Sequence, residues 1–262
     1  MRIPLWQIDA FTDRVFSGNP AAVCLLERWL PDEALAAIAA ENNLSETAFL
    51  VKEPGGFRIR WFTPAYEVEL CGHATLASAH LVLTRLLPGA GEVVFQSLSG
   101  PLRVERREGG LLSMTFPRSP PRPCPAPEAL LRALGRPPSE CHVARDLLAV
   151  LSSEVEVRTL EPDLAAVKEL PGHGLLVTAR ASTPGLDFVS RYFAPKAGIP
   201  EDPVTGSAHC VLVPFWAERL GKTRLEAAQV SRRGGRLSCE DRKDAVVISG
   251  RAADYLEGQI EI

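Results

Sequence analysis

Three side chains of this 262-residue sequence combine a proton-transferring group with a position next to a predicted strand or helix start. Glu46 stands in Asn42-Asn43-Leu44-Ser45-Glu46-Thr47-Ala48-Phe49-Leu50, where a polar turn runs into an apolar strand. A carboxyl at such a junction can be half-buried, which disfavours its charged form and suits it to proton transfer; the position equally suits a solvated or capping glutamate. His73 follows Gly72 in the first turn of a predicted helix, where the helix dipole disfavours an imidazolium and a neutral ring can pass or hold a proton. Asp202, in Glu201-Asp202-Pro203-Val204-Thr205-Gly206-Ser207, leads into a second predicted helix, and the dipole favours an acid there with or without a chemical role. Each helix start carries a small pair, Gly72-His73 and Gly206-Ser207. First-turn N–H groups bind anions and glycine lets a carboxylate approach the backbone; simple capping by Thr205 or Ser207 is the alternative. Two such starts facing each other across a cleft would grip a small carboxylic acid. Cys71 precedes the first helix, where a thiol pKa is lowered and the thiolate can act as a base. Its counterpart is Thr205, whose alkoxide is far too basic to form, so a two-thiol racemase would lack its second thiol. His80, His142, His173 and His209 have no partner visible in sequence and read as structural.

The elements that must position these groups are legible in outline. Phe57–Phe62 alternates apolar and basic residues, as a half-buried strand does, and Gly72–Leu83 is an Ala- and Leu-rich stretch that reads as a buried helix. Pro31–Ala40 reads as a helix with Pro31 in its first turn. Val93–Gln96, Leu111–Phe116, Leu175–Thr178, Phe188–Phe193, Ala245–Ser249 and the stretch to Ile262 read as strands. Gly206–Leu220 reads as a helix closed by Gly221. Six prolines between Pro117 and Pro127 exclude a helix or central strand there and mark an extended linker near the midpoint. The two sides of that linker repeat. Arg60-Trp61-Phe62-Thr63-Pro64 matches Arg191-Tyr192-Phe193-Ala194-Pro195 at an offset of 131, Cys71-Gly72-His73-Ala74 matches Thr205-Gly206-Ser207-Ala208 at 134, and Gly100-Pro101-Leu102 matches Gly235-Arg236-Leu237 at 135. The reading is a duplicated α+β fold with halves 1–117 and 118–262, the last strand packing back on the first half.

Composition narrows the function. The net charge of −3 argues against a nucleic-acid or membrane-surface protein, and no window approaches the roughly 18 unbroken apolar residues of a membrane span. Asp9 interrupts the N-terminal stretch where a signal peptide would continue its apolar core. The six cysteines are scattered singly, without metal-ligand spacing, and read as free thiols of a cytoplasmic protein.

Four motifs then occur in order: Asp9-Ala10-Phe11-Thr12 with Gly18-Asn19-Pro20-Ala21-Ala22-Val23; Ser45-Glu46-Thr47-Ala48-Phe49; Cys71-Gly72-His73-Ala74-Thr75; and Glu201-Asp202-Pro203-Val204-Thr205-Gly206-Ser207-Ala208. Together they resemble the PhzF family, the phenazine biosynthesis isomerases, and most closely its phenazine biosynthesis-like domain branch. The resemblance implies the diaminopimelate-epimerase-like fold, in which two similar halves each wrap strands around a central helix with the site between them. It implies a proton-moving isomerase that needs no metal or organic cofactor, and a homodimer. By motif, Glu46 becomes the acid/base, with His73 and Asp202 flanking the substrate. Gly72, Gly206 and Ser207 hold its polar groups, Asn19 lines the cleft, and Cys71 is counted with the substrate-holding residues. The family's usual proline two residues before the cysteine is Glu69 here. The expectation is an isomerase acting on a small carboxylic acid. The alternatives are a two-base amino-acid racemase on the same fold and a non-catalytic binding or scaffold protein that keeps the pocket.

Overall fold

The computed structural model describes residues 1–262. The chain forms two units, Met1–Thr115 with Ser249–Ile262, and Phe116–Ile248. The boundary read from the linker placed 118–262 in the second half, with the last strand packing back on the first. The C-terminal segment belongs to the first unit because its strand zips along the N-terminal one from Arg2↔Glu261 to Ala10↔Ala252.

In the first unit, β1 (Arg2–Ala10) lies antiparallel to β2 (Asn19–Leu26). After α1 (Asp32–Asn42), β3 (Glu46–Glu53) runs parallel to β2. It pairs antiparallel with β4 (Gly56–Phe62), which pairs antiparallel with the short β5 (Glu67–Val68). Then come α2 (Gly72–Leu81), β6 (Glu92–Ser97) parallel to β4, and β7 (Gly100–Arg106) and β8 (Leu112–Pro117) as antiparallel neighbours. β2 and β3 are apolar on both faces because each face is covered. Ala22, Cys24, Phe49 and Val51 pack with Leu35, Ile38 and Ala39 of α1, and α2 contacts β1, β2 and β3. α2 is buried nearly all round, through small residues that let strands approach it. Its hydroxyls are satisfied internally, Thr75 Oγ1 donating to Cys71 O at 2.5 Å and Ser78 Oγ to Ala74 O at 2.7 Å. The helix expected to reach Leu83 ends at Leu81 and widens into a π turn over Val82–Leu86, closed by Leu87 N–H to Val82 O at 2.7 Å.

The second unit contains β9 (Arg122–Pro123), α3 (Glu128–Leu134), β10 (Glu140–Val143), β11 (Leu147–Val150), α4 (Glu154–Thr159), α5 (Leu164–Glu169), β12 (Leu175–Arg180), β13 (Phe188–Ala194), β14 (Ile199–Asp202), α6 (Gly206–Leu220), β15 (Arg224–Gln229), β16 (Gly235–Asp241) and β17 (Ala245–Gly250) as far as Ile248. The final strand of the chain is β18 (Ala252–Glu261). Within the second unit β10 and β11 are antiparallel, β11 and β12 parallel, β12 and β13 antiparallel, β13 and β14 antiparallel, β13 and β15 parallel, and β15 and β16 antiparallel. That is the order and sense of pairing from β1 to β7, with α2 and α6 in the same place. α6 tolerates Pro214 in its interior because the carbonyl deprived of a partner, Cys210 O, accepts the Ser119 N–H at 3.1 Å. Core residues of this unit come from α3, α4 and α5 against β11, β12 and β13, among them Leu130, Val157, Val167, Leu175, Val177 and Phe193. The fold is α+β with mixed sheets. No helix is long and apolar enough to cross a membrane.

Candidate functional site

In the first unit, the parallel strands β2 and β3 both begin with a polar residue, Asn19 and Glu46, so these side chains share one edge of the sheet. The route into each is fixed. Asn43 ends α1 in the left-handed conformation, φ +49°, with its N–H on Ala39 O, and Asn42 Nδ2 donates to Thr47 Oγ1 at 3.1 Å. Asp9, buried at the end of β1, accepts the Phe16 N–H at 2.9 Å and holds the β1–β2 loop. Phe11 and Phe16 in that loop adopt positive φ, +62° and +67°, strained for non-glycine residues by roughly 1–2 kcal/mol each. Gly18 closes it at φ +66°, where a Cβ would lie 2.1 Å from Ala10 O. The Asp9-to-Asn19 motif is therefore the scaffold that presents Asn19.

α2 delivers its first turn to the same edge. Asn19 Nδ2 lies 3.2 Å from His73 Nδ1, Cys71 Sγ lies 3.5 Å from the same nitrogen, and His73 Nε2 lies 3.2 Å from Glu46 Oε2. The last is a close approach rather than an aligned hydrogen bond. An amide nitrogen only donates, so Nδ1 accepts and the ring hydrogen sits on Nε2, facing Glu46. Burial lowers the His73 pKa to about 3, so the ring is neutral. Glu46, Cys71 and His73 each bring one polar atom within 4.8 Å of the others, so carboxyl, thiol and imidazole form one compact cluster. Sequence spacing carried no sign of this cluster because Glu46 lies on a different element from the other two.

In the second unit, Asp202 ends β14 and Thr205 precedes α6. Thr205 Oγ1 donates to Asp202 Oδ2 at 2.5 Å. Gln229, fully buried on β15, joins the turn on both sides. Its Oε1 accepts the Thr205 N–H at 2.8 Å, and its Nε2 donates to Asp202 O at 2.7 Å and to Thr205 Oγ1 at 3.1 Å. Gly206 is buried and Ser207 exposed. Neither Thr205 nor Cys71 caps its helix with its side chain, and neither first turn holds an acid. Capping therefore does not consume the first-turn N–H groups of α2 and α6. Among the histidines read as structural, His209 is fully buried with Nδ1 donating to Thr205 O at 2.9 Å, and His80 pairs with Asp254 at 3.1 Å.

Sequence reasoning missed the braces behind both helix starts. Arg60 grips Glu67 through Nε at 2.7 Å and Nη2 at 2.6 Å, with its guanidinium 5.0 Å from the Phe62 ring. Arg191 grips Glu201 through Nε at 2.7 Å and Nη2 at 3.0 Å, 4.8 Å from the Phe193 ring, and donates to Leu160 O at 2.6 Å. Ser99 Oγ donates to Glu69 O at 2.9 Å and Ser231 Oγ to Pro203 O at 2.7 Å, two residues ahead of Cys71 and Thr205 respectively. Glu69 contributes its backbone carbonyl to this brace, which a proline there would also supply. The repeated Arg-x-Phe string was the available signal. A lysine keeps the charge and loses the fork. Arg60→Lys, whose partners are partly solvated, is expected to lower stability by about 1 kcal/mol, and the more buried Arg191→Lys by about 2 kcal/mol, in urea unfolding. Equal, negligible losses would show that the forks brace nothing.

The profile of the family described as phenazine biosynthesis-like protein matches residues 8–258. An uncharacterised isomerase of Pseudomonas aeruginosa is 52% identical over 262 residues, covering 100% of both chains. The human phenazine biosynthesis-like domain-containing protein is 41% identical, with 99% of each chain covered. The crystal structure of a PhzF-family protein from Enterococcus faecalis superposes with a TM-score of 0.96 at 45% identity, covering 100% of both chains.

Proposed function

The chain belongs to the phenazine biosynthesis-like (PhzF) family, and from that premise we propose that it is a cofactor-independent isomerase that moves a proton on a small cyclic or amino carboxylic acid, with Glu46 as the acid/base. The observation that carries this reading is the 3.2 Å approach of Glu46 to a buried, neutral His73. A ring that protonates only near pH 3 does not compete for the substrate proton. Its edge lies 3.2 Å from the Glu46 carboxyl and limits where that group can point. His73 thus holds the base and does not relay the proton. Glu46 removes a proton from one carbon as a carboxylate, exchanges it with water while protonated, and delivers a proton to another carbon as the acid. A positioned group of this kind contributes roughly 10²–10⁴-fold. Gly72, Gly206 and Ser207 are assigned to the substrate's carboxylate and polar groups, Asp202 to a hydrogen-bonding group, and Asn19 to the orientation of His73.

The same reading takes the two units as copies of one diaminopimelate-epimerase-like fold. The identical order of strand pairing and the matched Arg–Glu forks support it. Thr205 weighs against a two-thiol racemase, since its hydroxyl is already bonded to Asp202. Cys71→Ala is accordingly expected to keep turnover within a few-fold of the parent. Abolished turnover in a folded Cys71→Ala chain would restore the thiol as a base.

Incubation in D₂O with a dihydro-hydroxyanthranilate and with chiral cyclic amino acids, followed by proton NMR and polarimetry, tests the proposal. A shifted double bond with deuterium at the newly protonated carbon is expected. Deuterium at the α-carbon with loss of optical rotation would mean a racemase. Saturable binding without any exchange would mean a binding protein.

A further inference from the structure

Cys124 and Cys141 take no part in the chemistry above and stand opposite each other in the second unit. β9 and β10 pair antiparallel through Arg122↔Val143 and Pro123↔His142. The register continues by one residue, with the Cys124 N–H donating to Cys141 O at 3.0 Å. Their sulfurs are 3.5 Å apart. Directly opposed residues of a hydrogen-bonded antiparallel pair have Cα atoms about 5.5 Å apart, within the span of about 4.4–6.8 Å that a disulfide bridges. Closing the gap from 3.5 Å to a bond of about 2.0 Å takes rotation of the two side chains and a small shift of the Cys124 segment, which lies just beyond β9.

We propose that Cys124 and Cys141 are a reversible dithiol–disulfide site, oxidised by small-molecule disulfides of the glutathione type. Cys124 is half-buried and reachable, whereas Cys141 is buried at the edge of the α3–α5 core. Burial, reinforced by the neighbouring Cys124, pushes the Cys141 thiol up to about 12. Cys124 is therefore the entry point. Its thiolate attacks one sulfur of oxidised glutathione, forming a mixed disulfide and expelling one glutathione thiolate, which takes up a proton. Cys141 then loses its proton to solvent and attacks the Cys124 sulfur, expelling the second glutathione. Two protein thiols are oxidised and one glutathione disulfide is reduced to two thiols. The second step is the slow one, because Cys141 is weakly acidic. The product staples the proline-rich segment to β10 and closes a loop that contains α3, whose Leu130, Ala133 and Leu134 are core residues.

Trypsin places the two cysteines on different peptides, Ser119–Arg132 and Ala133–Arg145, each with one cysteine, because Arg122 and Arg136 precede proline. The full-length reduced chain is incubated with oxidised glutathione, sampled over time, alkylated, digested and mass-analysed. The expected course is a transient glutathione adduct on Ser119–Arg132, then the two peptides linked and two hydrogens lost from the intact chain. The melting temperature should rise by about 5 °C or more, reversed by dithiothreitol. In Cys124→Ser, Cys141 should stay reduced and the melting temperature should not respond. A glutathione adduct on Cys124 that persists unresolved, an untouched pair, or a link to any other cysteine would overturn the proposal.

Discussion

Glu46→Gln is expected to lower turnover of a cyclic-acid substrate by about 10²–10⁴-fold while changing its affinity little. The substitution preserves shape, so β3 still starts opposite Ala21 and the first-turn N–H groups of α2 are undisturbed. The His73 N–H that faces the carboxylate can face an amide oxygen equally well. What disappears is the group able to take and return a proton. At about 1.4 kcal/mol per tenfold, the loss amounts to about 3–5.5 kcal/mol of transition-state stabilisation. His73→Asn should cost less, because the ring positions Glu46 and carries no proton of the reaction. Turnover by rapid-quench assay and affinity by calorimetry separate the two quantities. Unchanged turnover in Glu46→Gln would remove it as the catalyst, and a parallel loss of binding would make it a substrate-holding residue.

The second large effect is acid lability. Burial holds His73 near 3 and His209 near 4, the latter despite its bond to Thr205 O. In the unfolded chain both titrate near 6.5. Above about pH 6.5 neither state binds the protons and stability is unaffected. As the pH falls below that value the unfolded chain gains protons that the folded chain refuses, so stability falls, by up to about 2.7 kcal/mol per pH unit with both rings contributing. The contribution of His209 levels off below about pH 4 and that of His73 below about pH 3. Glu154 acts in a lower window. Burial would raise its carboxyl, but bonds from Thr183, Arg158 and Ser182 hold it at about 2, so its stabilisation is lost only as the pH falls from about 4.5 toward 2. Urea unfolding at about pH 7, 6 and 5 should show the histidine slope, with one proton less in His209→Gln. A flat profile over that range would mean that the two rings titrate normally in the folded state.

Much of this was readable from the residues. Strands such as Phe57–Phe62 and helices such as Gly206–Leu220 show in the sequence because one face or the whole element is apolar, and the proline run announces itself through its missing N–H groups. Glu46 and His73 were legible as strand-start and helix-start residues; that they meet at 3.2 Å was not, since 27 residues of chain separate them. Gln229 was invisible for the same reason: a glutamine at the end of a strand carries no sign that it closes a turn 24 residues earlier. The braces Arg60–Glu67 and Arg191–Glu201 were not legible although the matched arginine strings were, because each glutamate lies on a different strand from its arginine. The last strand was expected to pack back on the first half; its register on β1 and the boundary at Ser249 were not legible, because they depend on contacts with the far end of the chain. The π turn over Val82–Leu86 was not anticipated, since the helix was read as ordinary to Leu83.

The central claim is that Glu46 carries the transferred proton. The most direct test follows one substrate turnover in D₂O by NMR, with wild-type chain and Glu46→Gln side by side. The account predicts deuterium at the newly protonated carbon with the wild-type chain, and no exchange with Glu46→Gln even when the substrate is bound to saturation. Deuterium incorporated at a comparable rate by both proteins would contradict it.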